Sequence, residues 1–222
     1  MDLPSTSVFV DFDGTISAVD VGKHLLKTLG RDGWEEPDQR FLLGEIGSRE
    51  RIEAQWRCLP RNEALLRETA GSVPLDPGFG PLVEALKSHG ADVAVVSDGF
   101  GFYVEAALSS FGLRVVTNSV DFASGSVLYA NLDPECPCSL CGTCKRAPVL
   151  EAKRQGRTTV FVGDGISDSK GALAADHVFA KSRLAEWCER QRVAFTPFSS
   201  LSDVQHALVP RSPAASTPDR RE

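Results

Sequence analysis

No run of eighteen apolar residues occurs in the 222-residue chain, so the sequence offers no membrane-spanning helix. Its first residues, MDLPSTSVFVDF, lack a basic segment leading into an apolar stretch with a small-residue cleavage site, and the expected setting is therefore cytoplasmic. Basic residues are the minority: 24 Lys and Arg against 30 Asp and Glu leave a net charge of -6, which argues against a general affinity for nucleic acid or an anionic membrane. A small positive pocket for one anion is still compatible with that charge. No internal repeat is present. Outside one short segment cysteine is scarce, with only Cys58 and Cys188 standing alone, a pattern unlike a disulfide framework and like thiols in a reducing compartment.

Against these absences stand three short apolar runs that each stop at a small polar group with glycine: VFVDF (8–12), ADVAVVSDG (91–99) and TTVFVGDG (158–165). They are too short for helices and rich in Val, so they read as buried strands. Helical patterns follow them, as in PLVEALKSHG, YVEAALSSFG and SRLAEWCERQ. Strands alternating with helices predict an α/β fold with a Rossmann-like, mostly parallel sheet covered on both faces. Such sheets bind ligands beyond the C-terminal ends of their strands, where Asp11, Ser97 and Asp164 fall. The alternation breaks between residues 16 and 75, which read as helices near 20–30, 48–57 and 60–71 separated by GRDGWEEPDQ. The expected organisation is a core of residues 1–15 and 76–209, a small helical cap of residues 16–75 inserted after the first strand, and a disordered, Pro- and Ser-containing tail at 210–222. Residues 117–135 suggest a hairpin or an irregular excursion.

Asp11 and Asp13 in DFDGT are two residues apart, which in extended backbone aims both carboxylates to one side and turns Phe12 into the core. Two such carboxylates require a cation between them. Asp164 and Asp168 in GDGISD supply further oxygens from another strand end, and an all-oxygen set suits Mg²⁺ better than zinc. Asp-Gly is also a common turn signal, so either motif alone reads equally as a turn. The combination, with Ser97 and Lys145 between, reads as a site. Lys145 opens KRAPVLEAKRQG (145–156), which reads as a helix with Pro148 in its first turn, so both its ammonium and the free helix N–H groups favour an anion. Immediately before it lie Cys136, Cys138, Cys141 and Cys144, whose spacing admits a Zn²⁺ site, free thiols or a redox-labile pair.

These motifs, in this order, resemble those of the haloacid dehalogenase superfamily of phosphohydrolases: DFDGT (11–15), Ser97 in VVSDG, Lys145, and GDGISD (163–168). The resemblance implies a Mg²⁺-dependent phosphatase acting on a small-molecule phosphate ester through an aspartyl-phosphate. It makes Asp11 the nucleophile and Asp13 the general acid and base, with Ser97, Asp98 and Lys145 holding the phosphoryl group. Asp11, Asp13 through its main-chain carbonyl, and Asp164 would hold the metal, supported by Asp168. Within the superfamily the helical cap, the CGTCK segment and FAKSRLAEWCERQRVAFTPF (179–198) are similar to the group of methionine-salvage 2-hydroxy-3-keto-5-methylthiopentenyl-1-phosphate phosphatases. SDGF (97–100) and Asp20 are similar to features of phosphoserine phosphatases, in which a glutamate rather than an aspartate stands near the latter position.

Substrate choice is expected in the cap, where Asp20, Arg51 and Arg57 are candidate contacts. The plainer alternative is a cap core built on Trp56 with solvated arginines. Phe100 and Phe102 are expected to pack the junction of sheet and helix, and His24 and His89 receive no role. Two other readings stay open: transfer of the phosphoryl group to an acceptor other than water, and a non-catalytic metabolite-binding protein. The second would require a damaged motif, and every charged motif position is filled.

Overall fold

The computed structural model describes residues 2–129, 133 and 140–209. The first strand, β1 (Thr6–Val10), is buried along its whole length and ends in a single tight turn over Phe12–Ile16. Four helices follow: α1 (Val21–Leu29), α2 (Glu35–Leu42), α3 (Ser48–Trp56) and α4 (Glu63–Gly71). The chain then alternates through α5 (Phe79–Ser88), β2 (Asp92–Phe100), α6 (Gly101–Leu108), β3 (Arg114–Asp121) and the short β4 (Ser126–Leu128). After these come α7 (Arg146–Arg154), β5 (Thr158–Gly163), α8 (Ser169–Ala174), β6 (His177–Ala180), α9 (Ser182–Gln191), β7 (Thr196–Pro197) and α10 (Leu201–Leu208). Among the described residues no helix is long and apolar enough to cross a membrane.

The seven strands form one sheet in the order β4-β3-β2-β1-β5-β6-β7, parallel throughout except for the β3–β4 hairpin. Alternation along each strand feeds two cores. Val8, Val10, Val95 and Val162 face α5, α6 and α10, while Phe9, Val96 and Phe161 face α7, α8 and α9. A sheet covered on both faces has no polar side to present, which is why its strands read as continuous apolar runs. From β1 the order runs outward through β2 on one side and β5 on the other, so the crevice between their C-terminal ends is the topological switch point.

The helices after β1 differ from expectation in one respect. GRDGWEEPDQ, read as a separator, contains most of α2. Pro37 occupies the third position of that helix, where an N–H would lack an intrahelical partner anyway, and Glu35, Glu36 and Asp38 complement its N-terminal dipole. Trp56 joins α3 to the sheet side: its ring lies 5.2 Å from that of Phe100 and 5.8 Å from that of Phe122, and its indole N–H donates to the Gly125 carbonyl at 3.0 Å. Phe100 and Phe102 thus pack against α3 as well as at the sheet and helix junction.

Candidate active site

The switch point holds six polar groups drawn from four segments. Asp11 follows β1 and is fixed there by its own N–H donating to Val162 O of β5 at 2.9 Å. The chain then turns at Gly14, whose φ of +82° only glycine adopts readily and where a Cβ would stand 2.7 Å from Asp164 Oδ2. Ahead of that turn Phe12 packs into the core, while Asp11 and Asp13 both line the cavity. Asp164 follows β5 and accepts from Thr15 Oγ1 at 2.9 Å. Asp168 is wholly buried: its Oδ2 accepts the N–H groups of Asp164 and Gly165, and its Oδ1 accepts from Lys145 at 2.6 Å.

Lys145 arrives immediately ahead of α7 and donates from Nζ to Asp11 Oδ1 at 2.6 Å, with Ser167 Oγ at 3.4 Å. Burial works against its charge, but Asp11 and Asp168 outweigh that and keep it protonated well beyond an ordinary lysine. Carboxylate oxygens of Asp11, Asp164 and Asp168 all lie within 4.8 Å of one another, the metal-competent cluster among the described residues. Three carboxylates against one ammonium leave two negative charges in a buried site. The crowding bears on protonation: burial, then Asp168, holds the Asp11 carboxyl well above its usual range, and the same two causes push Asp164 up to about 6. An all-oxygen set with this residual charge fits a hard divalent cation.

Asp13 occupies a different setting. Its Oδ1 accepts the Val21 N–H at the start of α1 at 2.9 Å, and its Oδ2 accepts from Tyr103 at 3.1 Å and from Ser97 at 3.3 Å. Burial first, then the nearby Asp20, pushes it up to about 7, with the Val21 and Tyr103 donors pulling the other way. Burial and then Asp13 raise Tyr103 in turn, so its hydroxyl stays protonated and donating. A carboxyl poised near neutrality can both release and accept a proton.

A cavity of about 260 Å³ opens over these groups, roofed by α1, α2 and α3. Its far wall is largely apolar, with Leu25, Ile52, Trp56, Leu59 and Phe100, and Arg51 stands among them. The Arg51 guanidinium lies 4.4 Å above the Phe41 ring and reaches Asp38 at 3.4 Å, while its buried Nε has no hydrogen-bond partner.

The structure therefore brings Asp11, Asp13, Ser97, Lys145, Asp164 and Asp168 to one place, and it gives three other expected residues partners of their own. Asp98, expected to hold phosphate, directs its carboxylate to the Thr143 N–H at 2.7 Å, so only its main chain is left to serve an anion. Asp20 lines the cavity but caps α1 by accepting the Lys23 N–H at 2.8 Å. Arg57 points away, with a side chain 73% exposed that reaches Glu53 at 3.6 Å on the surface. Of the proposed zinc ligands, Cys136 and Cys138 lie outside the described residues, as does the 210–222 tail. Cys144 is buried and Cys141 half-buried, and the described residues contain no zinc-type cluster of thiols. Missed by the sequence reading were Tyr103 and Thr15, which orient Asp13 and Asp164. Thr15 lay inside the DFDGT motif, whereas nothing local marks Tyr103.

Residues 8–172 match the family model of the haloacid dehalogenase-like hydrolases. The chain is 27% identical over 215 residues to a Bacillus cereus protein named 2-hydroxy-3-keto-5-methylthiopentenyl-1-phosphate phosphatase, covering 92% of this chain and 96% of that one. It is 29% identical over 205 residues to the protein of the same name from Exiguobacterium sibiricum, with coverage of 89% and 93%. Among solved structures it is similar to a phosphoserine phosphatase from T. onnurineus, with a TM-score of 0.69, 18% identity and coverage of 92% and 94%. A phospho-aspartyl intermediate analogue of phosphoserine phosphatase gives a TM-score of 0.71 at 18% identity, covering 87% and 93%. At these identities the structural likeness speaks for the fold.

Proposed function

The chain belongs to the haloacid dehalogenase-like hydrolase family, and from that membership we propose that it is a Mg²⁺-dependent phosphatase of a small phosphorylated metabolite. The observation that carries this reading is the meeting of Asp11, Asp164 and Asp168 with Lys145 at the switch point, beside a carboxyl tuned near neutrality. Asp11, Asp164 and the Asp13 main-chain carbonyl would hold Mg²⁺, with Asp168 fixing their surroundings. The bound ion would supply charge neutralisation between an anionic nucleophile and an anionic phosphate.

Asp11 is the nucleophile. Its carboxylate oxygen forms a bond to phosphorus as the ester P–O bond breaks, and the leaving alkoxide takes its proton from Asp13. In the second half, water attacks phosphorus, loses its proton to Asp13, and the acyl-phosphate bond breaks to return Asp11 as a carboxylate with free phosphate. Lys145 and the Ser97 hydroxyl bind the nonbridging oxygens, where transition-state charge collects. Val21 N–H and Tyr103 hold Asp13 in place through both proton transfers. Residues 16–75 form the cap over this machinery and supply much of the cavity's lining.

The leaving group meets a mostly apolar wall that also includes Arg51. That suits a metabolite with an apolar arm and an oxygen function, such as 2-hydroxy-3-keto-5-methylthiopentenyl-1-phosphate, the compound after which the Bacillus and Exiguobacterium relatives are named. It suits phosphoserine less, because Asp20, the acid nearest the position for an ammonium, is already engaged in capping α1. Phosphate release from a panel containing both esters, with Mg²⁺ present and no other acceptor, tests the reading. Release from the methylthio ester in preference to phosphoserine is the expected result. Release only when an acceptor alcohol is added would make the protein a phosphotransferase, and no release from any ester would remove the activity.

A further inference from the structure

The loop that delivers Lys145 is held by a closed ring of side-chain bonds that the reaction itself does not use. Asp98 Oδ1 accepts the Thr143 N–H at 2.7 Å, Thr143 Oγ1 donates to Asn118 Oδ1 at 3.0 Å, and Asn118 Nδ2 donates to the Asp98 carbonyl at 2.9 Å. Asn118 is completely buried on β3 and Thr143 nearly so, at 3% exposure. One side of the ring is Asp98, directly after Ser97, and the other is Thr143, two residues before Lys145. The ring therefore joins the two segments that carry the expected phosphate-holding groups.

Its surroundings leave little freedom. A Cβ at Gly142 would meet Ile52 Cδ1 at 2.6 Å and both Asn118 Nδ2 and Asp98 Oδ1 at 3.1 Å. The Gly142 N–H donates to Ser48 Oγ at the head of α3 at 2.9 Å, and the Arg49 N–H donates to Leu140 O at 3.0 Å. The loop is thus pinned on the sheet side by Asn118 and on the cap side by Ser48. Buried polar groups at these depths are costly unless each is bonded, so the ring holds as a unit or fails as one.

We propose that Asn118 and Thr143 are positioning residues that set Lys145 against Ser97, fixing the spacing of the two groups that hold the phosphoryl oxygens. The inference rests on the phosphatase reading for its kinetic consequence but not for its geometric one. Displacing a binding group by about an ångström costs on the order of a hundredfold in rate.

Thr143→Val removes the hydroxyl at nearly constant volume, and Thr143→Ser restores it. Expected are a ten- to hundredfold fall in kcat for T143V, with KM changed far less, and recovery to within a few-fold of the parent in T143S. Thermal unfolding is followed in parallel so that kcat is read well below the midpoint of each variant. A T143V protein with parental kcat overturns the proposal. Independently of any turnover, amine labelling of the native protein with acetic anhydride, read by peptide mass spectrometry, should find Lys145 protected in the parent and in T143S and labelled in T143V. Equal labelling of Lys145 in all three also overturns it. An inactive parent with the predicted labelling pattern would sink the phosphatase reading and leave the positioning role standing. Should T143V fail to fold, Asn118→Ser breaks the same ring and is read by the same two measurements.

Discussion

Lys145 Nζ lies 2.6 Å from Asp11 Oδ1 in an ion pair whose side chains are 2% and 4% exposed. Such a pair in a site with surplus negative charge is poised to be exchanged: an incoming phosphate takes the ammonium. Lys145→Ala should lower kcat/KM by at least about a hundredfold, the order found for removing one preorganised donor to a charged transition state. Steady-state phosphate release on any accepted ester checks this, and a loss under fivefold would separate Lys145 from the reaction.

Under the proposed mechanism, replacing Asp11 removes the covalent intermediate altogether. Asp11→Asn should abolish phosphate release while leaving a folded protein, since asparagine keeps the size of the side chain. Borohydride added during turnover should reduce the acyl phosphate of the parent to homoserine at position 11, detectable by peptide mass, and no such product should form from the variant. Homoserine at any other aspartate would move the intermediate elsewhere.

Proton linkage gives a prediction for the metal-free protein. Asp13, pushed up to about 7, and Asp164, pushed up to about 6, bind their protons more tightly folded than at the ordinary value of 3.8. Their contribution to stability is fully present below about pH 4, declines as the pH rises through the interval, and is gone above about pH 7. In chelator, unfolding midpoints should therefore fall as the pH is raised from 5 to 8, and Asp13→Asn should flatten that slope. A midpoint that rises over the same range would contradict the assigned environment of these carboxyls.

The same carboxyls must lose their protons before they take a cation. Mg²⁺ should raise the unfolding midpoint more at pH 8 than at pH 5, and its affinity by calorimetry should tighten over that range. Chelation should abolish turnover reversibly. A midpoint unmoved by Mg²⁺ at pH 8 would count against the cluster as a metal site.

Gly14 gives a stability test at the site itself. With φ at +82° and Asp164 Oδ2 only 2.7 Å from the place a Cβ would take, Gly14→Ala should cost about 1–2 kcal/mol for the backbone alone. The crowding should displace Asp164 and remove most activity as well. Denaturant unfolding and phosphate release together check it, and a variant with parental stability and turnover would mean the turn relaxes freely.

Much of this site was legible in the chain because its parts are local. Asp11 with Asp13, and Asp164 with Asp168, are each set by one strand end and one turn, and β1, β2 and β5 announce themselves as short apolar runs. Less legible were residues whose role is assigned by a distant neighbour. Asp98 stands in a phosphate-site motif, yet its carboxylate is captured by the backbone of Thr143, 45 positions away. Asp20 and Arg57 looked alike as charged groups near the cap, but one is folded onto a helix start and the other onto the open surface. The α2 helix was hidden because Pro37 reads as a breaker, although in a first turn it removes no helical bond.

By itself the sequence determined which backbone pieces form and which carboxylates each carries, because strand period, glycine turns and helix starts depend on neighbours a few residues apart. The tertiary structure alone decided that Tyr103 and Val21 share Asp13, that Thr143 bonds to Asn118, and that Arg51 Nε is buried without a hydrogen-bond partner. Those outcomes follow from burial and from competition among partners far apart in the chain. A buried polar atom takes whichever group packing brings within about 3 Å.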